Sequence, residues 1–411
     1  MNRVLESIFV NALKLYIIIF LFVPVRCSSF KNVAYYPEFI LANAVLCIFI
    51  IFYLIWLVYN HRINRMNIPF FILLLLATVG YAGSYIMNIQ SIQWYGELKS
   101  VIISFPFLFL LVLGKNNVWF EKYHIFQTVI GSIIISNIIG IVVYHMGYLS
   151  IYFHNWGVVT QTQEWGKSFY GEYRFNWVYF HKSEYALMLL LFLSFLLMNT
   201  DRFRSKISKI LLCLCVAILA YCFYIAHVNT ATVGAILILF GKIVYELYPR
   251  VKNFSNRKKI ISSCVSGSIV FVAARIIFLK IAQERSVTTL GGRTDIWRAS
   301  LNAIKNNQGG IGISYENGFF IHIKQGAQVN NAHNVFLNEM LRFSIPVGIC
   351  FTLFFGFIII FSLKKKCNIF TISIWMALLL AMNMDYSILP MELSMVMLML
   401  YLIFFYEKDD E

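Results

Sequence analysis

The chain has 411 residues, of which 60% are hydrophobic and 13% charged, with a mean hydropathy of +0.72. Soluble domains are about 45–50% apolar and about 25% charged, so this chain lacks the charged skin its length would need, and a soluble enzyme, a disordered protein and a disulfide scaffold are excluded. The excess of Lys+Arg 34 over Asp+Glu 19, a formal +15, reads as the bias of a membrane protein toward a positive inner side rather than as affinity for nucleic acid.

Five apolar runs come first, at 9–25, 38–59, 68–88, 97–114 and 125–145, each close to the roughly 20 residues that cross a bilayer. The first is not a cleaved signal, because Asn11 and Lys14 interrupt it and no small-residue cleavage site follows. A long segment, 146–182, carries Tyr173-Arg174-Phe175-Asn176-Trp177 and enters the sixth run through His181-Lys182-Ser183-Glu184. Runs at 183–200, 210–227, 230–248 and 260–280 follow, the last with Arg275 near its outer end, where it reads as snorkelling. In the third of these runs Lys242 is placed to pair with Glu246 four residues later. A second long segment, 281–343, precedes the final runs at 344–363, 369–385 and 388–406.

Basic residues fall on alternate short loops: Arg62 and Arg65, Lys115 and Lys122, Arg202 to Lys209, Arg250 to Lys259, then Lys364 to Lys366. With Arg3 and Lys408, about 18 of the 34 lie on that side, which is therefore cytoplasmic and holds both termini. The expected fold is all-α: one polytopic membrane domain over 1–411, about 12 transmembrane helices, and two long outer loops containing short helices. The cysteines lack metal-ligand spacing and read as small hydrophobes.

The two outer loops exceed the about 12–15 residues of ordinary connections and carry about nine basic residues on the side where these are scarce. Misplaced positive charge implies an anionic substrate. In the second loop Gly291-Gly292 is a break, Thr294 is placed to cap a helix over 295–306 with Asp295 in its first turn, and Asn307-Gln308-Gly309-Gly310 ends it. A stretch through Gly312, Gly318 and Gly326 follows. Asn331-Ala332-His333-Asn334 then heads a second helix, with Leu337, Met340, Leu341 and Ser344 in helical period.

Gly292-Arg293, Trp297, Gly310-Ile311-Gly312, Ala332-His333-Asn334 with Phe336-Leu337, and Gly348, in that order within 291–348, resemble the signature region of the bacterial O-antigen polymerase and O-antigen ligase superfamily. The first loop matches less well: Arg174, the aromatics and Ala186 fit, whereas Lys182-Ser183 stands where the family often has Pro-Asn. At the eighth span Asn229-Thr230-Ala231-Thr232 lacks the Ser-Arg of many members. The resemblance implies glycan transfer on the outer face of the bacterial plasma membrane, from undecaprenyl pyrophosphate to an acceptor hydroxyl, with no metal and no cofactor. Implied partners are the lipid-linked oligosaccharide donor and acceptor, the lipid bilayer and a chain-length regulator protein, with no nucleic acid.

The chemistry needs a base for the hydroxyl and positive charge for the departing diphosphate. His333 suits the first, since imidazole titrates near neutrality. Arg293 and Arg174 suit the second through the bidentate guanidinium fork. Arg298, Asn334 and Trp297 are further candidates for substrate binding, although Arg298 lies about 140° round the helix from Arg293, Asn334 is also placed to cap, and Trp297 reads equally as an interfacial anchor. A polymerase of polysaccharide repeat units is the leading expectation. A ligase transferring glycan to lipid A-core is the nearest alternative. A lipid-glycan transporter is the alternative of another class and predicts broken helices and charges near mid-membrane.

Overall fold

The structure, a computed structural model, describes residues 2–23, 37–61, 68–87, 94–114, 119–154, 157–170, 174–179, 181–252, 292–310, 321–322, 328–329, 331–385, 388 and 392–406. Its helices are α1 (Asn2–Phe22), α2 (Pro37–Tyr59), α3 (Ile68–Met87), α4 (Trp94–Leu113), α5 (Trp119–Lys122), α6 (Ile125–His145), α7 (Gln163–Tyr170), α8 (Lys182–Met198), α9 (Lys206–Ala226), α10 (Asn229–Lys252), α11 (Arg293–Asn306), α12 (Val335–Arg342), α13 (Ile345–Lys365), α14 (Ile369–Met384) and α15 (Leu393–Leu400), the last continued by a π turn, Tyr401–Phe405. Eleven of the twelve expected spans coincide with one of these helices; the ninth, 260–280 with Arg275, lies outside the described residues, as do Gly312, Gly318 and Gly326. Six helices are long and apolar enough to cross a membrane, and four shorter apolar ones accompany them, so the chain is a mostly helical, multi-pass membrane protein.

One feature departs from the all-α expectation. Strand β1 (Tyr148–His154) pairs antiparallel with β2 (Gly157–Thr162) in the first long loop. The β-branched and aromatic residues of Tyr148-Leu149-Ser150-Ile151-Tyr152-Phe153 and Val158-Val159-Thr160 favour strand over helix there. Ser150 also bridges to Trp177, whose Nε1 donates to Ser136 Oγ at 2.9 Å, tying the loop to α6. A second, two-residue pair, Ile321–His322 with Gln328–Val329, lies in the second loop.

Helices α8 and α15 form the centre. Residues 182–197 of α8 and all eight of α15 are buried, as expected of helices that are apolar all round. The outer helices keep an apolar face exposed, with Ile207 and Leu211 on α9, Ile51 on α2 and Leu353 on α13.

The polar contacts gather at two ends of the bundle. One end joins Lys122 to Glu6 (2.6 Å), Asn2 to Asn60 (2.7 Å), Arg202 to Glu121 through both carboxylate oxygens (2.6 and 2.8 Å), Lys242 to Glu246 (2.9 Å) and Lys365 to the Phe405 carbonyl (2.8 Å). Arg202 also lies over the Phe126 ring, 3.6 Å from its centroid. These residues belong to the segments that the alternation of basic loops assigns to one side. The other end gathers residues from after α6, after α9, the second long loop and the end of α14.

A seam of small residues sets the register that matters at this second end. A Cβ on Gly241 would lie 2.5 Å from Ser373 Cβ, and one on Gly234 3.2 Å from Ala377 Cβ. In lipid, where no hydrophobic force drives helices together, such close approach of backbones carries the packing. α10 and α14 therefore run antiparallel in close contact, and one further turn along the seam Thr230, near the start of α10, meets Asp385 just past the end of α14.

Candidate functional site

Asp385 is the centre of the second end. Its Oδ1 accepts from Arg293 Nη2 at 3.0 Å, its Oδ2 accepts from Thr230 Oγ1 at 3.0 Å, and His333 Nδ1 lies 3.6 Å from Oδ1. Three segments distant from it in sequence thus converge on one carboxylate. Burial works to raise that carboxyl; contact with His333 and the charge of Arg293, with His181 adding to them, outweigh burial and hold it down at about 2. It is therefore an anion under all ordinary conditions.

His333 sits on a scaffold built by its neighbours. Its own N–H donates to Asn331 Oδ1 (2.9 Å), and the Ala332 N–H donates to Asn338 Oδ1 (2.8 Å), which pins the preceding residue to α12. Asn334 caps α12, its Oδ1 accepting from the Leu337 N–H at 3.0 Å, while its Nδ2 donates to Asn383 Oδ1 at 3.0 Å. The polar atoms of Asn334 are thus committed to holding the loop to α14, and its place in the site is that of a support. His333 itself has φ 47, the left-handed region that a Cβ disfavours. Such a conformation persists only where the surroundings impose it, and it collects at functional sites. The imidazole is 30% exposed, and its Nε2 has no hydrogen-bond partner among the described residues. With Nδ1 facing a carboxylate, the proton belongs on Nδ1, which leaves the lone pair on Nε2.

Arg293 opens α11 as a buried side chain. Beyond Asp385 its Nε donates to the Met384 carbonyl. The expected cap differs: Gly292, with φ 84, is the N-cap and Thr294 lies inside the helix. Glycine adopts that φ without strain, so the helix begins two residues early and brings Arg293 into its first turn. Arg298 is exposed and on another face of α11 from buried Arg293, as the 140° offset requires. Trp297 is partly buried, and its Nε1 has no hydrogen-bond partner among the described residues.

Two signature glycines act on packing. Gly310 has φ 85, and a Cβ there would lie 2.6 Å from the Phe343 carbonyl carbon; a Cβ on Gly348 would lie 2.7 Å from the Met340 nitrogen. They let the turn after α11 and the first turn of α13 press against the α12 backbone. Ile296, Ile304, Ala332 and Leu341 fill a small core between α11 and α12 that is separate from the main one. Ser344 does not continue α12; it caps α13, accepting from the Val347 N–H at 3.4 Å. The buried face of α12 is also polar, holding Asn338, Glu339 and Arg342, with Tyr81 donating to Glu339. A buried charged row of this kind escapes an apolar-periodicity reading.

The first loop supplies cations to the same end. Phe175, Asn176 and Trp177 are buried against α6, which fixes the backbone beside Arg174. Lys182, 9% exposed, reaches across to donate to the His227 carbonyl at 3.1 Å, three residues before Thr230. His181 caps α8 in a capping box with Glu184, whose Oε2 accepts from the His181 N–H at 3.1 Å. Burial first, and then the charges of Lys182, His333 and Arg174, push the His181 imidazole down to about 4 against the pull of Asp385. The structure therefore brings Arg293 and His333 together through Asp385 and sets Arg174 within electrostatic reach of His181, whereas Arg298 lies on another face of α11.

Sequence reasoning missed Asp385, Thr230 and Lys182. The available signal for Asp385 was an acidic side chain at the end of an otherwise apolar span, a position where ionisable groups mark function. Among the described residues no three His, Cys, Asp or Glu side chains are grouped to hold a metal ion. The chain matches no protein-family model, and no curated protein is significantly similar to it.

Proposed function

We propose that this protein is a glycosyltransferase of the outer face of the bacterial plasma membrane. It joins polysaccharide repeat units carried on undecaprenyl pyrophosphate, in the manner of the O-antigen polymerases whose signature it resembles. In this reading the chain spans the membrane twelve times with both termini in the cytoplasm. A chain-length regulator is the expected protein partner.

The observation that carries the reading is the His333–Asp385 pair beside Arg293, presented at the end of the bundle to which the long loops belong. The acceptor sugar hydroxyl gives its proton to His333 Nε2 as its oxygen bonds to the anomeric carbon of the donor. The bond from that carbon to the diphosphate oxygen breaks, and the lipid diphosphate leaves with the electron pair. Asp385 holds the imidazole in the required tautomer and stabilises the imidazolium that forms. Arg293 anchors Asp385 and, with Arg174, supplies fixed positive charge where the diphosphate becomes more negative. Trp297 and exposed Arg298 are left to contact the glycan beyond the reacting atoms.

The charge distribution also bears on a transporter. The Arg293–Asp385 and Arg202–Glu121 pairs sit at helix ends, and Lys242 is matched by Glu246, so these charges do not mark a path through mid-span.

The test is made with purified protein in lipid nanodiscs and one repeat unit on undecaprenyl pyrophosphate. A ladder of longer chains from this single substrate is the expected product, lost in His333→Asn, a substitution that tolerates the left-handed backbone. Transfer to lipid A-core with no ladder would make the protein a ligase. No transfer to either acceptor would end the reading.

A further inference from the structure

We infer that the open face of α1, carrying Ser7, Asn11 and Lys14, docks a transmembrane helix of another protein that bears a carboxylate at the depth of Lys14. The inference does not depend on the reaction proposed above. One face of α1 is packed, with Phe9, Leu13, Tyr16 and Phe20 buried and ring contacts from Phe9 to Trp119 and from Tyr16 to Phe107. The other face is open: Ser7 and Asn11 are exposed, Lys14 is half-buried, and Ile18 is 44% exposed. At 100° per residue these four positions fall within about 60° of one another, so they form one stripe along the helix.

A stripe on the outside of the bundle meets lipid, and most of this one is polar. Asn11 Nδ2 donates to Ser7 Oγ at 3.2 Å, and Lys14 makes no hydrogen bond or ion pair among the described residues. Glu6 marks one end of the bundle through its bond to Lys122. Lys14 stands eight residues further along α1, about 12 Å on, beyond the reach of its four-carbon stem. A cation at such depth is costly, and ionisable groups within spans are paired.

The chain itself supplies no acid to match it. Within the apolar runs the acids are Glu38, Glu97, Glu184, Glu246, Asp385 and Glu392, each within five residues of a run's end. At the Glu6 end of the bundle, Glu6, Glu121 and Glu246 are already paired with Lys122, Arg202 and Lys242. A second copy of this chain does not fit either. A two-fold dimer through this face keeps both copies in one orientation in the bilayer, which sets Lys14 at the depth of its equivalent, cation against cation. An Asp or Glu on a foreign helix matches the charge, and Asn11 and Ser7 extend the contact as the polar side chains that join helices in lipid. Lying outside the bundle, the stripe lines no passage through it.

The experiment uses the full-length protein in liposomes and a synthetic leucine-rich transmembrane peptide with one Glu at mid-span, beside a counterpart with Leu at that position. Binding of the labelled peptides is read by resonance energy transfer for wild type and for Lys14→Met, which keeps an unbranched side chain and removes the charge. The Glu peptide is expected to bind wild type about tenfold more tightly than the Leu peptide. Lys14→Met is expected to bind the two alike, with its melting temperature unchanged. Equal affinity of the two peptides for wild type overturns the inference, and so does a preference for Glu that survives in Lys14→Met. Energy transfer between two differently labelled copies of the protein, lost in Lys14→Met, would make the occupant a second copy and overturn it as well.

Discussion

Replacing Asp385 with Asn tests the site at its centre. The change keeps size and shape: the amide oxygen can still accept from Arg293, and the amide nitrogen can donate to the Thr230 hydroxyl. What disappears is one negative charge 3.6 Å from His333 Nδ1. At an effective dielectric constant of about 20, a unit pair at that distance is worth about 4 to 5 kcal/mol. That stabilisation is present when His333 carries the proton and absent when it does not, so it belongs to the transition state. The expected loss in kcat is about 10³-fold, with KM for the lipid-linked substrate altered far less. Single-turnover chain extension on radiolabelled repeat units measures it, with a melting curve on the same preparation to show that Arg293 remains packed. A variant that folds normally and extends chains within tenfold of wild type would refute the argument that Asp385 acts through His333.

Other expectations follow from the same geometry. Because the folded-state pKa of His181 is depressed to about 4 from 6.5, the unfolded chain binds the extra proton more readily between those values; stability is full above about pH 6.5 and falls by about 3 kcal/mol as pH drops to about 4. His181→Asn, which preserves the cap, should remove that part of the pH dependence in detergent melting curves. Gly241→Val places a branched side chain where Ser373 Cβ would be 2.5 Å away; overpacking of about 1–3 kcal/mol and loss of activity through separation of Thr230 from Asp385 are expected, read from melting temperature and ladder length together. Arg293→Lys removes the bidentate fork and the contact to the Met384 carbonyl, and its chain extension should fall well below wild type, whereas full activity would show that the guanidinium is not needed for the reaction. Arg202→Gln, at the opposite end, should lower the melting temperature through loss of the Glu121 pair while the folded protein extends chains at the wild-type rate.

The spans were legible because each is a local property: about 20 apolar residues in a row, bounded by charge, read the same in any fold. His333 and Arg293 were legible because their flanking glycines and asparagines form a local pattern, and the structure gives that pattern physical content in Gly310 and Gly348 against the α12 backbone. Asp385 was not. It is one carboxylate at the boundary of an apolar run, and its significance comes from Thr230, Arg293 and His333, which lie in three other segments. The hairpin β1–β2 was likewise not legible, because its two short strands lie within a long connecting segment and form a sheet with each other alone. The cap of α11 was misassigned to Thr294, since a glycine in the left-handed region leaves no side-chain signature for a cap.

The convergence of three distant segments on Asp385 has a consequence in time. Arg174 leaves the ribosome before α8 is made, whereas Asp385 follows α14, so the constellation stays incomplete until almost the whole chain has been synthesised. Asp385 is the keystone of the constellation, and only the central helix α15 is still to be made behind it.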